Sequence, residues 1–251
     1  GHRQLMRALW IGVLVWLTCG PVWATECENR NHLGKSYTVC TVDLTQEKLR
    51  LFLRDDNDNI YGSFNAINQA LGAAGQTLGF AMNAGMYHED RAPVGLFLED
   101  GKQEMGLVTS AGPGNFGLLP NGVLCLRKGR ADVIETLRFE REKPRCTGAT
   151  QSGPMLVIDG ELHPRFLVDA TSRYVRNGVG TTADGRRAVF VISNTLVTFY
   201  EFGSFFRDAL KLPQALYFDG NVSRLYAPDL GRHDPGRRLG PIIGTVARKA
   251  P

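Results

Sequence analysis

A succession of short apolar runs, separated by turn-forming residues, constrains the fold more than any other feature of this sequence. The runs are mostly about five to eight residues long and rich in Val, Leu, Ile and Phe, and Gly, Asn, Asp or Pro bounds them. Examples are "SYTVCTVDL", "VGLFLED", "RRAVFVIS" and "QALYFDG". This pattern predicts a domain built mainly from β-strands.

Two segments depart from the strand pattern. From Ser63 to Ala74 the apolar residues recur every three or four positions, and Ser63 is a favourable helix N-cap. The segment Tyr200 to Leu210 has a similar spacing. Two main helices among many strands predict an α+β fold, a single domain with a mixed β-sheet core. The second helix leads into "QALYFDG", so we expect a βαβ-like crossover with parallel strands and Asp219 at the carboxyl end of the second strand.

Composition narrows the class of partner. The chain has 251 residues, of which 43% are hydrophobic, enough for a sizeable core. Its formal net charge of +4 comes from Lys and Arg residues scattered along the chain, with no basic stripe interleaved with aromatics. We therefore expect no nucleic-acid partner. The charge suits an anionic small molecule or an anionic envelope glycan.

The N-terminal residues are typical of a secretory signal. Two arginines precede the apolar run Ala8–Cys19, which is shorter than the roughly 20 residues of a membrane span. The small-residue pattern Val22-x-Ala24 follows and is typical of a cleavage site. We predict a signal peptide over residues 1–24, a domain over 25–251, a periplasmic or secreted location, and no membrane span after cleavage. An uncleaved membrane anchor is the alternative.

Outside that segment the cysteines form an even set: Cys27, Cys40, Cys125 and Cys146. In an oxidising compartment, disulfides are favoured over metal ligation, and no C-x-x-C motif is present. Of the three possible connectivities we predict the local one, Cys27 with Cys40 and Cys125 with Cys146.

Asp-Gly occurs four times, and one occurrence differs from the rest. Asp100, Asp159 and Asp184 lie between strand-like runs and charged or polar residues, which predicts hairpin turns. After Asp219 the chain continues with the uncharged "GNVS". Small hydrogen-bonding residues suit backbone that approaches a ligand. We therefore predict that Asp219 is a functional carboxylate.

Other polar residues lie at the ends of apolar runs. Those singled out as candidate ligand contacts are Asn83 and Tyr87 in "NAGMY", Gln151, Ser152 and Gly153 in "QSG", Arg176 and Asn177 in "RNG", and Gly220, Asn221 and Ser223 in "GNVS". An arginine beside glycines can offer a guanidinium together with exposed backbone N–H groups to a phosphate.

Familiar catalytic motifs are absent. The chain contains no G-x-S-x-G, no H-E-x-x-H and no P-loop. We expect no cofactor and no metal site. A divalent cation held by Asp219 and carbonyl oxygens has no cluster of ligands to support it.

Taken in order, "NAGMY", "QSGPMLVIDG", "RNGVGTTADGRRAVFVIS" and "ALYFDGNVS" resemble the motifs of the phosphodiester glycosidase family. The resemblance spans roughly Tyr37 to Val246. Asn83, Arg176, Asp219 and Ser223 match the family pattern, whereas Asn177 and Asn221 stand where the family has Thr and Gly. The resemblance implies an α+β fold with a mixed sheet, in agreement with the strand pattern.

The resemblance also implies an activity, the hydrolysis of a sugar-1-phosphodiester at the glycosidic C–O bond. In that reading Asp219 is base or nucleophile and Arg176 contacts the phosphate. Asn83, Ser152 and Ser223 form hydrogen bonds with sugar hydroxyls or phosphate. The partner would be a carbohydrate or sugar phosphate. One alternative is a non-catalytic envelope protein that binds anionic glycans. Another, a phosphodiesterase that breaks the P–O bond, would need clustered metal ligands.

Overall fold

The computed structural model describes residues 8–16, 25–220 and 222–250. Residues 8–16 are exposed and have no regular secondary structure, and the elements of the fold begin at Glu26. The predicted cleavage site at Val22-x-Ala24 and the candidate contact Asn221 lie outside the described residues. No helix in the described parts of the chain is long and apolar enough to cross a membrane.

The described residues contain three α-helices and seventeen β-strands. In chain order the strands are β1 (Glu26–His32), β2 (Lys35–Asp43), β3 (Leu49–Phe52), β4 (Gln76–Asn83), β5 (Phe97–Glu99), β6 (Lys102–Met105), β7 (Gly122–Arg127), β8 (Arg130–Glu135), β9 (Gly148–Ser152), β10 (Met155–Ile158), β11 (Glu161–Leu162), β12 (Asn177–Thr181), β13 (Arg187–Ser193), β14 (Gln214–Asp219), β15 (Leu225–Ala227), β16 (Arg232–His233) and β17 (Ile242–Arg248). The helices are α1 (Phe64–Gly72), α2 (Thr136–Glu142) and α3 (Phe199–Ser204), which a π-helical turn (Phe205–Ala209) extends; a 3-10 turn covers Pro228–Leu230.

The strands form three sheets. The largest has the order β1-β2-β13-β12-β14-β10-β11, and the two five-stranded sheets have the orders β16-β15-β4-β17-β3 and β6-β5-β9-β7-β8. The predicted α+β class and single domain are confirmed. The predicted crossover joins β13 and β14 through α3. These two strands run in the same direction, but β12 lies between them and pairs antiparallel with both, so the ladders themselves are antiparallel.

Both predicted helices form. Ser63 caps α1, its hydroxyl accepting a hydrogen bond from the Ala66 amide at 3.1 Å, and the helix buries Phe64, Ile67 and Leu71. α3 begins at a capping box formed by Thr198 and Glu201. Helix α2 was not predicted, because "TLRFERE" buries only its first residue and has no apolar stripe.

Two disulfides have the predicted local pairing. Cys27 and Cys40 face each other across β1 and β2, and Cys125 in β7 bonds to Cys146. The bonds close loops with sequence separations of 13 and 21 residues. Each is worth about 3 kcal/mol in the chain-entropy model.

The three Asp-Gly pairs predicted as turns are turns. Asp100 has a φ of 47° and Asp159 a φ of 50°, and the glycine after each also has a positive φ, as a tight hairpin requires. Asp184 lies between β12 and β13 and accepts a hydrogen bond from the Arg186 amide at 3.0 Å. The turn prediction is therefore confirmed for all three.

The main apolar cluster joins the three sheets. It includes Phe80 from β4, Leu124 from β7 and Phe218 from β14, each fully buried. Because the sheets pack on one another through this cluster, the ends of strands from different sheets are held close together. One such meeting point, of β4, β12 and β14, carries the candidate site.

Candidate active site

Asp219 is the last residue of β14 and is mostly buried. In the ladder between β12 and β14, Gly178 pairs with Tyr217 and Asn177 with Asp219, so Phe218 is an extra residue. Such a bulge often lies beside a functional site, because it redirects a side chain. Neither Asp219 nor Gly220 has the positive φ that a tight Asp-Gly hairpin needs. Asp219 therefore differs from the other three Asp-Gly aspartates.

Asn177 holds the three strand ends together. Its side-chain oxygen accepts hydrogen bonds from Asn83 Nδ2 at 2.9 Å, from the Asp219 amide at 3.2 Å and from Ser223 Oγ at 3.2 Å. Its Nδ2 donates to the Asn83 carbonyl at 2.9 Å. Both asparagines are fully buried. Asn177, predicted to contact substrate, thus lies among β4, β14 and the turn after it.

The turn after β14 is closed by Ser223. Its amide donates to the Gly220 carbonyl at 2.8 Å, and its single hydroxyl hydrogen is shared between the Asp219 carbonyl at 2.9 Å and Asn177 Oδ1 at 3.2 Å. The Gly220 amide donates to Asp219 Oδ1 at 2.7 Å. Together these bonds fix the backbone on both sides of the carboxylate.

Burial raises the pKa of Asp219 to about 6, and the hydrogen bond from the Gly220 amide lowers it by a smaller amount. No ion pair involves Asp219 within the described residues. The carboxylate is ionised at neutral pH and is more basic than an ordinary aspartate. These are the properties of a general base or nucleophile.

Arg176 is the largest fully buried side chain in the described part of the chain, with 1% exposure. Its Nε donates to the Val197 carbonyl at 2.8 Å and its Nη2 to the Ser172 carbonyl at 3.1 Å. The guanidinium carbon lies 3.8 Å from the centre of the Phe199 ring. Burial lowers the pKa of Arg176, and no carboxylate of the described residues pairs with it. Burying a cation without a neighbouring anion lowers the stability of the folded protein.

Tyr217 lies beside Arg176, whose guanidinium carbon is 5.6 Å from the centre of its ring, and it was not among the predicted site residues. It is two residues before Asp219 on β14. Burial raises its pKa; the charge of Arg176 lowers this pKa and that of Asp219 raises it, so both groups are near the phenol. A β-carbon on Gly220 would lie 2.7 Å from the hydroxyl. The two-residue spacing on a strand was the signal that could have identified Tyr217.

Ser152 supports β14 from the neighbouring sheet, and Gly153 follows it in the chain. Ser152 Oγ donates to the Phe218 carbonyl at 3.0 Å and is fully buried. A β-carbon on Gly153 would lie 2.6 Å from Asn121 Cβ, so a larger residue does not fit. Ser152 therefore contacts the strand that carries Asp219, whereas Gly153 packs against Asn121 and Phe116.

Gln151 lies on the same strand as Ser152, but its side-chain amide is hydrogen-bonded to backbone groups. Its Oε1 accepts from the Leu96 and Val108 amides at 3.1 and 3.0 Å, and its Nε2 donates to the Val108 carbonyl at 2.7 Å. Gln151 therefore secures the segments on either side of β5 and β6.

Tyr87 is the candidate in the loop between β4 and β5. Burial raises its pKa, and the negative charge of Asp219 raises it further. The hydroxyl donates to the Arg238 carbonyl at 3.3 Å. The loop thereby contributes a wall beside Asp219.

Metal ligands do not accompany this site. Within the described residues, no group of three or more His, Cys, Asp or Glu side chains is placed to hold a metal ion. The polar groups around Asp219 are amides, hydroxyls, phenols and guanidinium groups.

A cavity of about 870 Å³ lies elsewhere, at the opposite end of the sheets. It is bordered by Gly148 at the start of β9, whereas Ser152 at the end of that strand contacts β14. The cavity is therefore separate from the site around Asp219.

The family follows from comparison with known proteins. The phosphodiester glycosidase family model matches residues 76–244, a span that includes every candidate residue from Asn83 to Ser223. The chain belongs to the phosphodiester glycosidase family, as its motifs predicted.

The chain is also similar to individual proteins. The chain is 32% identical over 216 residues to the uncharacterized protein YigE of Escherichia coli K12, which covers 85% of this chain and 84% of that protein. The fold is similar to a hypothetical protein from Synechocystis (TM-score 0.59, 12% identity, 89% of this chain and 62% of that one). It is also similar to the catalytic domain of zebrafish N-acetylglucosamine-1-phosphodiester alpha-N-acetylglucosaminidase (TM-score 0.57, 12% identity, 88% of this chain and 81% of that one).

Proposed function

We propose that this protein is an exported hydrolase that cleaves the glycosidic C–O bond of a sugar-1-phosphodiester. The observation that carries the proposal is the Asp219 carboxylate, held by the asparagine network at the meeting of three strands with a pKa raised to about 6. Membership of the phosphodiester glycosidase family supports it.

The chemistry suits a site with one unpaired carboxylate. A phosphomonoester leaving group has a second pKa of about 6, far below that of a sugar alcohol, so it needs little help from a general acid. Asp219 takes a proton from the water that attacks the anomeric carbon, or attacks that carbon itself and forms a glycosyl ester that water then hydrolyses. In both routes the C–O bond to the phosphate breaks and the phosphomonoester leaves. The products are the free sugar and a phosphomonoester.

The other residues have supporting roles in this scheme. Arg176 provides a positive charge behind Tyr217 that favours a phosphate on the Asp219 side. Asn83 and Asn177 are bonded to each other, so we assign them to positioning Asp219. Ser223 offers a hydroxyl oxygen, and Tyr87 a phenol, to the sugar or phosphate. Ser152 is fully buried and supports β14 through its bond to the Phe218 carbonyl.

Export is part of the proposal. Two disulfides fit an oxidising compartment, and the N-terminal residues predict a signal peptide, so we assign the protein to the periplasm or the extracellular space. Thiol labelling of denatured, unreduced protein beginning at Thr25 should give no modification. Stoichiometric labelling would contradict this assignment.

Turnover is the direct test of the function. Purified protein should release p-nitrophenyl phosphate from p-nitrophenyl sugar-1-phosphodiesters, and a panel of sugars would identify the preferred one. Parallel reactions with EDTA would detect a metal requirement. Binding of these diesters without any turnover across the panel would reject the hydrolase and favour a non-catalytic protein that binds anionic glycans.

A further inference from the structure

Three arginines that the motifs did not identify act on Tyr87 through their charge, and one of them, Arg91, lies against its ring. Arg91 lies in the loop between β4 and β5, Arg224 directly follows Ser223, and Arg237 lies in the loop between β16 and β17. The charges of all three lower the pKa of Tyr87, against the effects of burial and of Asp219. Together they place positive charge on the Tyr87 side of the candidate site.

Arg224 ties the loop between β16 and β17 to the asparagine network. Its amide donates to Asn83 Oδ1 at 2.9 Å. Its guanidinium donates to the Arg237 carbonyl at 2.7 Å and, from Nε and Nη2, to the Asp234 carbonyl at 3.1 and 3.0 Å. Because these acceptors are carbonyls, the charge of this largely buried arginine is not neutralised by them.

The loop between β4 and β5 is joined to the same segment. Arg91 Nε and the Tyr87 hydroxyl both donate to the Arg238 carbonyl, at 3.0 and 3.3 Å. The Arg91 guanidinium carbon lies 5.2 Å from the centre of the Tyr87 ring. The Ala84 amide donates to the Pro241 carbonyl at 2.9 Å. The two loops therefore form one preassembled wall.

The wall carries a surplus of positive charge. Within the described residues neither Arg91 nor Arg237 forms an ion pair, whereas Asp234, an acid of the same loop, is paired with Arg232 at 2.9 Å. Glu89 and Asp90 are exposed. A single phosphodiester carries one negative charge, fewer than the charges on Arg91, Arg224 and Arg237 together.

We propose that Arg91 and Arg237 bind a second phosphate group, so that the preferred substrate is a sugar-1-phosphodiester whose aglycone carries a further phosphate. The Arg91 Nε and Nη1 donate to the Arg238 and Glu89 carbonyls, which leaves Nη2 for a phosphate oxygen. The guanidinium of Arg237 is exposed, and arginine binds phosphate oxygens with paired hydrogen bonds. The inference rests on the proposed function, since it takes the region around Asp219 as the sugar-phosphate site.

Binding of two sugar-free probes tests the proposal without knowledge of the sugar. By calorimetry at low ionic strength, the protein should bind methyl diphosphate at least about tenfold more tightly than dimethyl phosphate. The double variant R91Q/R237Q should lose at least about tenfold in affinity for methyl diphosphate. The matched control is R186Q/R187Q, an exposed pair in another Gly-Arg-Arg segment beside Asp184; its affinity should stay within about twofold of wild type.

Three results would overturn the proposal: no measurable binding of methyl diphosphate, equal affinity for both probes, or an R91Q/R237Q protein that binds like wild type. Turnover measurements distinguish rejection of the arginine site from failure of the proposed hydrolase function. The ratio of kcat/KM for a nucleoside diphosphate sugar to that for a singly charged sugar-phosphate diester should fall at least about tenfold in R91Q/R237Q. If both diesters are cleaved and the ratio is unchanged, the proposed hydrolase activity stands and the arginine site is rejected. If methyl diphosphate binding depends on the arginines but neither diester is cleaved, the arginine site stands and the hydrolase activity is rejected.

Discussion

Replacing Asp219 by Asn tests the site through both stability and activity. The pKa of this carboxyl is raised from 3.8 to about 6 by burial. A shift of about two units corresponds to roughly 3 kcal/mol of cost for ionising the group in the folded protein. Asn has the same shape and keeps an oxygen for the Gly220 amide, so the substitution removes the charge and little else.

The sign of the pH dependence follows from linkage. Between about pH 4 and 6 the folded protein binds the Asp219 proton more tightly than the unfolded chain does, so this group's stabilising contribution is complete below about pH 4 and is lost as the pH rises through about 6. We therefore expect Asp219→Asn to unfold with a free energy about 1–3 kcal/mol higher than wild type at pH 7.5, and with nearly the same free energy at pH 4. Urea unfolding at both pH values measures the difference.

Activity should move in the opposite direction. If Asp219 is base or nucleophile, turnover should rise with pH through about 6 in the wild type, and Asp219→Asn should lower it by about 10² to 10⁴. The control is Asp100→Asn, an exposed hairpin position where Asn serves equally well. Asp159 is a poorer control because its carboxylate pairs with Arg138 at 2.8 Å.

Two results would refute the reasoning. Turnover equal to wild type in a folded Asp219→Asn protein would remove Asp219 from the chemistry. A free energy of unfolding that is unchanged at pH 7.5 would show that the buried carboxylate carries no penalty, and the explanation of its raised pKa would then be wrong.

Arg176→Met keeps bulk over Phe199 but removes a buried positive charge, so it should weaken a phosphate-bearing ligand by about 1–2 kcal/mol through charge alone and leave a neutral sugar unaffected; equal losses in calorimetry would make Arg176 structural. Replacing Cys27 and Cys40 together by Ser should lower the free energy of unfolding by about 3 kcal/mol, as measured by urea denaturation, and an unchanged midpoint would contradict this. Burial, helped by Asp100, raises the pKa of Glu99 to about 7, so Glu99→Gln should raise Tm above pH 7 and have little effect near pH 5. Equal shifts at both pH values would disprove this account.

Several features of this protein are determined locally and could be predicted from the sequence. The cap at Ser63 depends on a residue and the helix it begins, and the hairpins at Asp100 and Asp159 depend on two residues that accept a positive φ. The disulfides follow from an even number of cysteines with short separations. Motif order was sufficient to predict the family.

Tertiary structure alone decided which of these local features meet. Alternating apolar residues identify a strand, but they do not say which strand pairs with it, because pairing depends on contacts between residues far apart in the chain. The insertion of β12 between β13 and β14 is such a case, and it sets Asn177 beside Asp219.

The same long-range contacts decided the roles of individual side chains. Asn83 and Asn177 are residues of a type that often contacts a ligand. In the folded protein, however, they are hydrogen-bonded to each other. Arg237 is exposed in a loop with no motif, yet it lies near Tyr87 because the Arg224 guanidinium binds its carbonyl. A hydrogen bond between groups more than ten residues apart leaves no periodic pattern in the sequence, so only the packed structure shows it.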